Sequence, residues 1–450
     1  MLSDKAFCIF GWDPQIAEKE KKKNLIFLDT DPQLLMRVPQ SDKLRLFIVN
    51  QHNRYEILRK IAWHNLFVAL SFQQAKSGGE DIMDELQQIV GEVQLFASDF
   101  ADQGETLTRN VITNLSQPLI DARALFGAYA NIPAVICGAG PSLSHHVPFL
   151  QSAQKNALLF AGGAALEALR RLSITPHFGL HVDPNPSHRF LHTSPNPLPT
   201  FVQLRTSSAV VQKISGPKLL LPATGNFPLE TWAQGHDDIF DGGWTVGTCA
   251  VATALALGCN PIILVGMDLS GTTSQMYAGG IQNAEPDGMV QFRGHLTRPD
   301  WIRAAAWLSE TAKKHPDRTW LNLSDKGLPL DGIPVGTTTL PEIALPSLPS
   351  LPAPPLANLA LLQISFTRCL SITQNIIAEM KAIFPKTPDQ SGKIALLHSD
   401  LEQELAFTTT LLPIWEIWKF PLSRHNPEGS PGLFLHQMLF FTDLINRLKI

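Results

Sequence analysis

The sequence is poor in cysteine: Cys8, Cys137, Cys249, Cys259 and Cys369 are the only five in 450 residues, with no Cys-x-x-Cys pair. An odd and scattered set excludes a disulfide framework and a cysteine-based zinc site, and it fits the reduced thiols of a cytoplasmic protein. Long apolar runs are missing too. No stretch approaches the ~20 apolar residues that span a bilayer, and Met1-Leu-Ser-Asp-Lys-Ala6 lacks the basic start and apolar stretch of a signal peptide. The expected location is therefore the cytoplasm, with no transmembrane segment. An excess of either charge is also lacking. A formal net charge of −4 exerts no long-range pull on nucleic acid, and Lys21-Lys22-Lys23, following Glu18 and Glu20, reads as a solvated helix end.

What remains is a chain with 44% hydrophobic and 17% charged residues, the make-up of a globular protein with a large core and two or three domains. Residues 1–130 read as a small N-terminal α/β domain plus a helical connection. Phe7 to Phe10, Leu25 to Leu28 and Leu46 to Val49 are its strand-length apolar runs. Helical spacing follows in Ile82, Leu86, Ile89, Val90, Val93 and Phe96, then in Val111, Ile112, Leu115, Leu119 and Ile120, interrupted by Pro118. Residues 131–345 alternate strand and helix as a doubly wound, Rossmann-like α/β domain does. Asp300 is expected to cap the helix over 300–313. A proline-rich linker over 346–355 precedes a C-terminal helical domain, 356–450, whose apolar face is expected to pack on its own domain or on a second copy of the chain.

The stretch Ala134 to Cys137 is a buried strand running into Gly138, Ala139 and Gly140. The two glycines remove side chains from the turn, so that backbone N–H groups can approach a phosphate or carboxylate, and Pro141-Ser142-Leu143 can open a helix pointing its positive end at the same place. Ser142 adds a hydroxyl donor. In a doubly wound sheet ligands lie beyond the carboxyl ends of the strands. That rule adds Asp183 with Asn185, the helix start at Thr245 and Gly247, and the strand end at Asp268. Two anion cradles on one sheet edge suit a ligand with two negative groups. The alternative for each acid is a helix cap or a turn residue.

Four stretches in order carry a family resemblance: Cys137-Gly-Ala-Gly-Pro-Ser-Leu143, Gly243-Trp-Thr-Val-Gly-Thr248 with the small-residue helix after it, Ile262-Ile-Leu-Val-Gly-Met-Asp-Leu269 followed by Tyr277, and Trp320-Leu-Asn-Leu-Ser-Asp-Lys-Gly327. Together they resemble the motility-associated factor (Maf) family of flagellin glycosyltransferases, grouped with the 6-hydroxymethylpterin diphosphokinases (MptE-like). The same block resembles bacterial sialyltransferases that use CMP-sialic acid and have a Rossmann-like fold. In those enzymes a Gly-His pair, five residues before a helix-opening aspartate, supplies the general base. Gly294-His295 before Asp300 is similar to that pattern. The sequence departs where Ala139 stands for an asparagine and Val246 for a serine, which removes two polar contacts to the donor.

The resemblance implies transfer of a nonulosonic, sialic-acid-like sugar from a CMP-activated donor to a hydroxyl on a protein or glycan. His295 would be the base. Gly138, Gly140, Ser142, Asp183, Asn185, Thr245, Gly247, Asp268 and Tyr277 would bind the donor, with no metal and no cofactor. Charge building on departing CMP would be met by Thr245, the N–H of Gly247 and the Tyr277 hydroxyl. The alternative reaction is pyrophosphoryl transfer from ATP to a hydroxymethylpterin, with Mg²⁺ on Asp183 and Asp268. A further alternative is a catalytically inactive nucleotide-binding or assembly module.

Overall fold

The computed structural model describes residues 6–10, 24–28, 71–73, 103–185, 197–225, 227–235, 239–271, 278, 289–383, 391–423 and 430–448. They fall into two compact units, Met1–Gly104 with Ile414–Phe434, and Glu105–Pro413 with Leu435–Ile450. In the first unit the strands β1 (Ala6–Phe10), β2 (Asn24–Leu28) and β3 (Ser71–Gln73) form a parallel sheet in the order β2-β1-β3. The strand at 46–49 and the helical spacing over 82–96 lie outside the described residues.

The second unit holds the chemistry-bearing motifs. Its eight strands are β4 (Leu119–Asp121), β5 (Ala134–Cys137), β6 (Leu158–Gly162), β7 (Phe178–His181), β8 (Thr200–Val202), β9 (Lys218–Leu220), β10 (Ile262–Val265) and β13 (Trp320–Asn322). They form one sheet, all pairs parallel, in the order β13-β10-β5-β6-β7-β8-β9-β4. From β5 the chain winds outward through β6 to β9, then returns to the other side of β5 as β10. The switch point of the sheet is therefore the β5–β10 border.

Alternation along the strands explains why both faces are covered. Val135, Cys137, Leu159, Ala161, Ile263 and Val265 form one core with Leu150 and Ala153 of helix Val147–Asn156 and Ala168 and Leu169 of helix Ala164–Arg171. Ala134, Ile136, Leu158, Phe160, Ile262 and Leu264 form the other, with Val251 and Ala254 of helix Val246–Ala256 and Leu308 of helix Pro299–Lys314. In that second core Phe178 lies between Phe160 and Phe201, with ring centroids 5.2 and 5.3 Å away. A fully buried phenylalanine of this kind contributes ~1.5–3 kcal/mol. The result is a doubly wound α/β fold with a helical C-terminal region.

Several elements differ from the sequence reading. The helix containing Val111 ends at 114, and Leu119 and Ile120 belong to the edge strand β4 instead, because Pro118 has no N–H to continue a helix. Helix Pro299–Lys314 starts one residue before Asp300. Its N-cap position is Arg298, which makes no side-chain cap, and Asp300 sits in the first turn paired with the Arg298 guanidinium at 2.9 Å. The proline-rich stretch lies against the sheet unit: Asp121 donates its N–H to the Pro352 carbonyl, and Leu345, Leu348 and Leu351 pack on the core. Beyond it run helices Leu359–Ile383, Ser391–Glu402, Leu412–Ser423 and Pro431–Leu448. None of the described helices is long and apolar enough to cross a membrane.

Candidate active site at the carboxyl edge of the sheet

Parallel register places Val265 opposite Cys137, so β5 and β10 end level and their following loops meet. The meeting is a set of backbone bonds. Gly138 N–H donates to Val265 O, and Gly140 N–H to Gly266 O, both at 2.8 Å. A Cβ on Gly138 would lie 2.3 Å from Gly266 O, and one on Gly140 would lie 2.7 Å from the same oxygen and 2.5 Å from Asp268 Oδ2. The elbow glycines thus admit the neighbouring loop. Their N–H groups, expected to face a ligand anion, are already engaged by protein carbonyls.

The second expected donor, Ser142, is engaged as well. Its N–H reaches Asp268 Oδ2 at 2.8 Å, and its hydroxyl reaches Asp268 Oδ1 at 2.5 Å. Ser324, beyond β13, donates to the same Oδ1 at 2.8 Å, and Leu328 N–H bonds the Asp268 carbonyl. Asp268 is buried, at 4% exposure, and fastens the loops after β5, β10 and β13 to one another. A side chain of the protein fills the anion position at the opening of the short helix Pro141–His146. Asp268 thereby ties the three loops together through its carboxylate.

A second helix start is still open. Thr245 caps helix Val246–Ala256: its Oγ1 accepts from Thr248 N–H at 3.1 Å while Thr248 Oγ1 accepts from Thr245 N–H at 2.9 Å, a reciprocal capping box. The N–H groups of Val246 and Gly247 have no partner among the described residues, which leaves an electropositive point at the end of an eleven-residue helix. Its position is set by tight packing. A Cβ on Gly162, the last residue of β6, would come within 2.1 Å of Val246 Cγ1, and one on Gly247 within 2.7 Å of the Met267 methyl group. Next to Gly162, Gly163 has φ +51° and no neighbour within 4 Å of a Cβ, and it begins helix Ala164–Arg171. Two helix starts therefore converge on the carboxyl end of β6, beside open space.

Asp183 follows β7 and accepts from Asn185 N–H at 2.9 Å, a local turn. Desolvation raises its carboxyl above the usual range, while the Asn185 N–H and the Arg205 charge draw it back down. His295 lies in a hairpin of β11 (Val290–Phe292) and β12 (His295–Thr297). The hairpin is fastened to the loop after β10 by Gly271 N–H to Leu296 O at 3.0 Å and by Thr297 Oγ1 to Leu269 O at 2.7 Å. His295 is half-buried there. Tyr277 lies outside the described residues.

Five contributors were not singled out as site residues in the sequence. His146, which ends the turn after the elbow, has its pKa lowered by burial and by His145 while Asp268 and Asp325 pull it up. Ser324 is the second hydroxyl donor to Asp268, beside Ser142. Asn110 and Asn114, on the helix over 103–114, hold the loops after β7 and β8 through bonds to Pro184 O and Arg205 O, and to Leu204 O and Thr206 O. Arg205 lies on that last loop. Ser324 lies within the Trp320–Gly327 stretch, whereas Asn110, Asn114 and Arg205 lie in none of the four stretches. Among the described residues no group of three or more His, Cys, Asp or Glu side chains could hold a metal ion.

Residues 105–274 match the family model for 6-hydroxymethylpterin diphosphokinase MptE-like proteins. Among solved structures the chain is similar to a MAf glycosyltransferase from Magnetospirillum magneticum AMB-1, with 14% sequence identity, a TM-score of 0.52, and coverage of 99% of this chain and 78% of that one. At that identity the likeness is one of fold. No curated protein matches the sequence.

Proposed function

We propose that this chain, which carries an MptE-like domain on the fold of a MAf glycosyltransferase, is itself a glycosyltransferase, taking a CMP-activated nonulosonic sugar and transferring it to a hydroxyl on a protein or glycan. The observation that carries the reading is the open helix start at Val246 and Gly247, set against Gly162 and Gly163 at the strand end. It offers two N–H donors and the Thr245 hydroxyl to a phosphate where the fold places its ligands. In the transfer the bond from the sugar anomeric carbon to the phosphate oxygen breaks, and its electron pair leaves with CMP. The Thr245–Gly247 donors meet that charge. The acceptor oxygen forms the new bond and its proton passes to His295. Asp183 and Asn185 line the nucleoside side, and Tyr277 is a further donor to the leaving phosphate. Gly138, Gly140, Ser142 and Asp268 act indirectly, by building the wall of the site.

A second reading, pyrophosphoryl transfer from ATP to a pterin, is favoured by the family model over 105–274. It calls for Mg²⁺ on Asp183 and Asp268. Both Asp268 oxygens already accept from serine donors, which leaves one carboxylate for the metal. The reading of an inactive module keeps the nucleotide site and removes the role of His295.

A thermal-shift panel with CMP, CTP, ATP plus Mg²⁺, and a pterin tests these readings. CMP should stabilise the protein in the presence of EDTA, by about 2.7 kcal/mol at 100 times its Kd. Stabilisation by ATP that EDTA abolishes, with none from CMP, would overturn the glycosyltransferase reading.

A further inference from the structure

Arg205 lies in the turn after β8, on the same sheet edge as the open helix start. Among the described residues its guanidinium is in an ion pair with Glu230 and shows no hydrogen bond. Nε is buried without a hydrogen-bond partner, and the nearest carboxylate oxygen, Glu230 Oε2, is 3.8 Å away, beyond bonding distance. A second side-chain neighbour among the described residues is the Phe227 ring, whose centroid lies 4.6 Å from Arg205 Cζ. Five N–H donors in a fixed plane are thus held, with 18% of the side chain exposed, against an aromatic face and one distant acid. Such a cation is costly unless something accepts those bonds.

The guanidinium packs on Phe227 and pairs with Glu230, both of which follow β9. Its charge acts on Asp183 at the end of β7 and on Cys249, which lies one turn into the helix capped by Thr245. On the loops and helix that follow β8 and β9, Gln203 Oε1, Thr224 Oγ1 and Glu230 Oε2 are also buried without hydrogen-bond partners among the described residues. Gln203 is 1% exposed and Glu230 0%. The backbone carrying Arg205 is fixed: Asn110 Nδ2 bonds its carbonyl at 3.1 Å, and Glu230 Oε1 accepts from its N–H at 3.3 Å. A fixed backbone whose guanidinium is paired only loosely with Glu230, with Nε left without a hydrogen-bond partner, leaves donors for an anion.

We propose that Arg205 is a ligand-binding residue of this site, taking a phosphate-class anion through its guanidinium fork, on the same sheet edge as the Val246–Gly247 helix start. The assignment deepens the nucleotide-sugar reading by giving a second point of contact for the donor's negative groups.

Isothermal titration of the full-length protein with inorganic pyrophosphate and with CMP tests the proposal. Wild type should bind at least one of the two probes. Arg205→Lys keeps the charge and loses the fork, and should weaken binding at least 10-fold with little change in the midpoint of thermal unfolding. Arg205→Met paired with Glu230→Gln removes both buried charges, so its fold does not depend on the pair, and binding should be lost. Wild-type affinity in either folded variant, or no binding of either probe by wild type, would overturn the assignment. Wild type that binds pyrophosphate and not CMP, with binding lost in the variants, would sustain Arg205 and remove the cytidine reading.

Discussion

Ser142 gives both its donors to Asp268, the N–H at 2.8 Å and the hydroxyl at 2.5 Å, so a carboxylate of the protein sits where a nucleotide phosphate was expected. The contact is buried and charge-assisted. Asp268→Asn should therefore destabilise the sheet unit by about 2–4 kcal/mol in urea denaturation, because an amide offers one acceptor where three donors converge. Ser142→Ala should cost about 1–3 kcal/mol and leave CMP affinity within a few-fold of wild type. A stable Ser142→Ala protein that no longer binds nucleotide would return this serine to ligand contact.

Gly140→Val should fail as a fold change, not as a binding change. The added Cβ meets backbone at Gly266 and the Asp268 carboxylate, neither of which can yield. Soluble expression should fall and thermal unfolding should broaden. Gly163→Ala should be milder, since open space surrounds it, and should cost about 1–3 kcal/mol through the strain of φ +51°. Its effect on CMP affinity should exceed that of Ser142→Ala, because the methyl group enters the proposed ligand space.

His181, the last residue of β7, is buried, and burial lowers its pKa to about 4 from an ordinary 6.5. Between those values the unfolded chain binds a proton that the folded chain refuses. The stability contributed by this residue is complete above pH 6.5 and falls as pH drops towards 4, by up to about 3 kcal/mol. Urea midpoints at pH 7, 5.5 and 4 should decline, and His181→Asn should flatten that decline. A variant whose acid limb matches wild type would assign the loss to other groups.

Replacing His295 separates a transferase from a binding module. His295→Ala should keep CMP affinity, because the hairpin is fastened through Leu296 and Thr297, while transfer falls ~10²–10⁴-fold. Transfer at the wild-type rate by the folded variant would remove the base assignment. Asp300→Ala should lose less than about 1 kcal/mol, since Asp300 holds a partly exposed pair with Arg298 and is not the N-cap residue.

The sheet was legible because its signals are local. Runs such as Ile262 to Val265 bury both faces and stay apolar throughout, and Gly247 to Leu257 is a helix whatever lies around it. Strand β4 was hidden because Leu119 and Ile120 also continue a helical spacing, and only the ring of Pro118 decides between the two. At the site, the expected elbow and the strand end at Asp268 do lie side by side, and the elbow N–H groups bond the neighbouring loop. A Gly-x-Gly turn says that something approaches the backbone closely; whether a ligand or the next loop does so depends on β10 lying beside β5, which no spacing within 138–142 encodes. Arg205 and Asn110 were silent for the same reason, since their partners lie up to 98 residues away along the chain, as in Ser208 N–H to Asn110 Oδ1.

The stretch over 345–357 bears on how the protein can be dissected. Its prolines look like a place to cut, yet Asp121 of the edge strand donates to Pro352, Ala357 donates to Ala233, and three leucines cover the core. The segment acts as a strap that shields the last strand of the sheet, which would otherwise expose an unpaired edge. A recombinant fragment ending near 345 should aggregate through β4, whereas one that continues past 357 should stay monodisperse in size-exclusion chromatography.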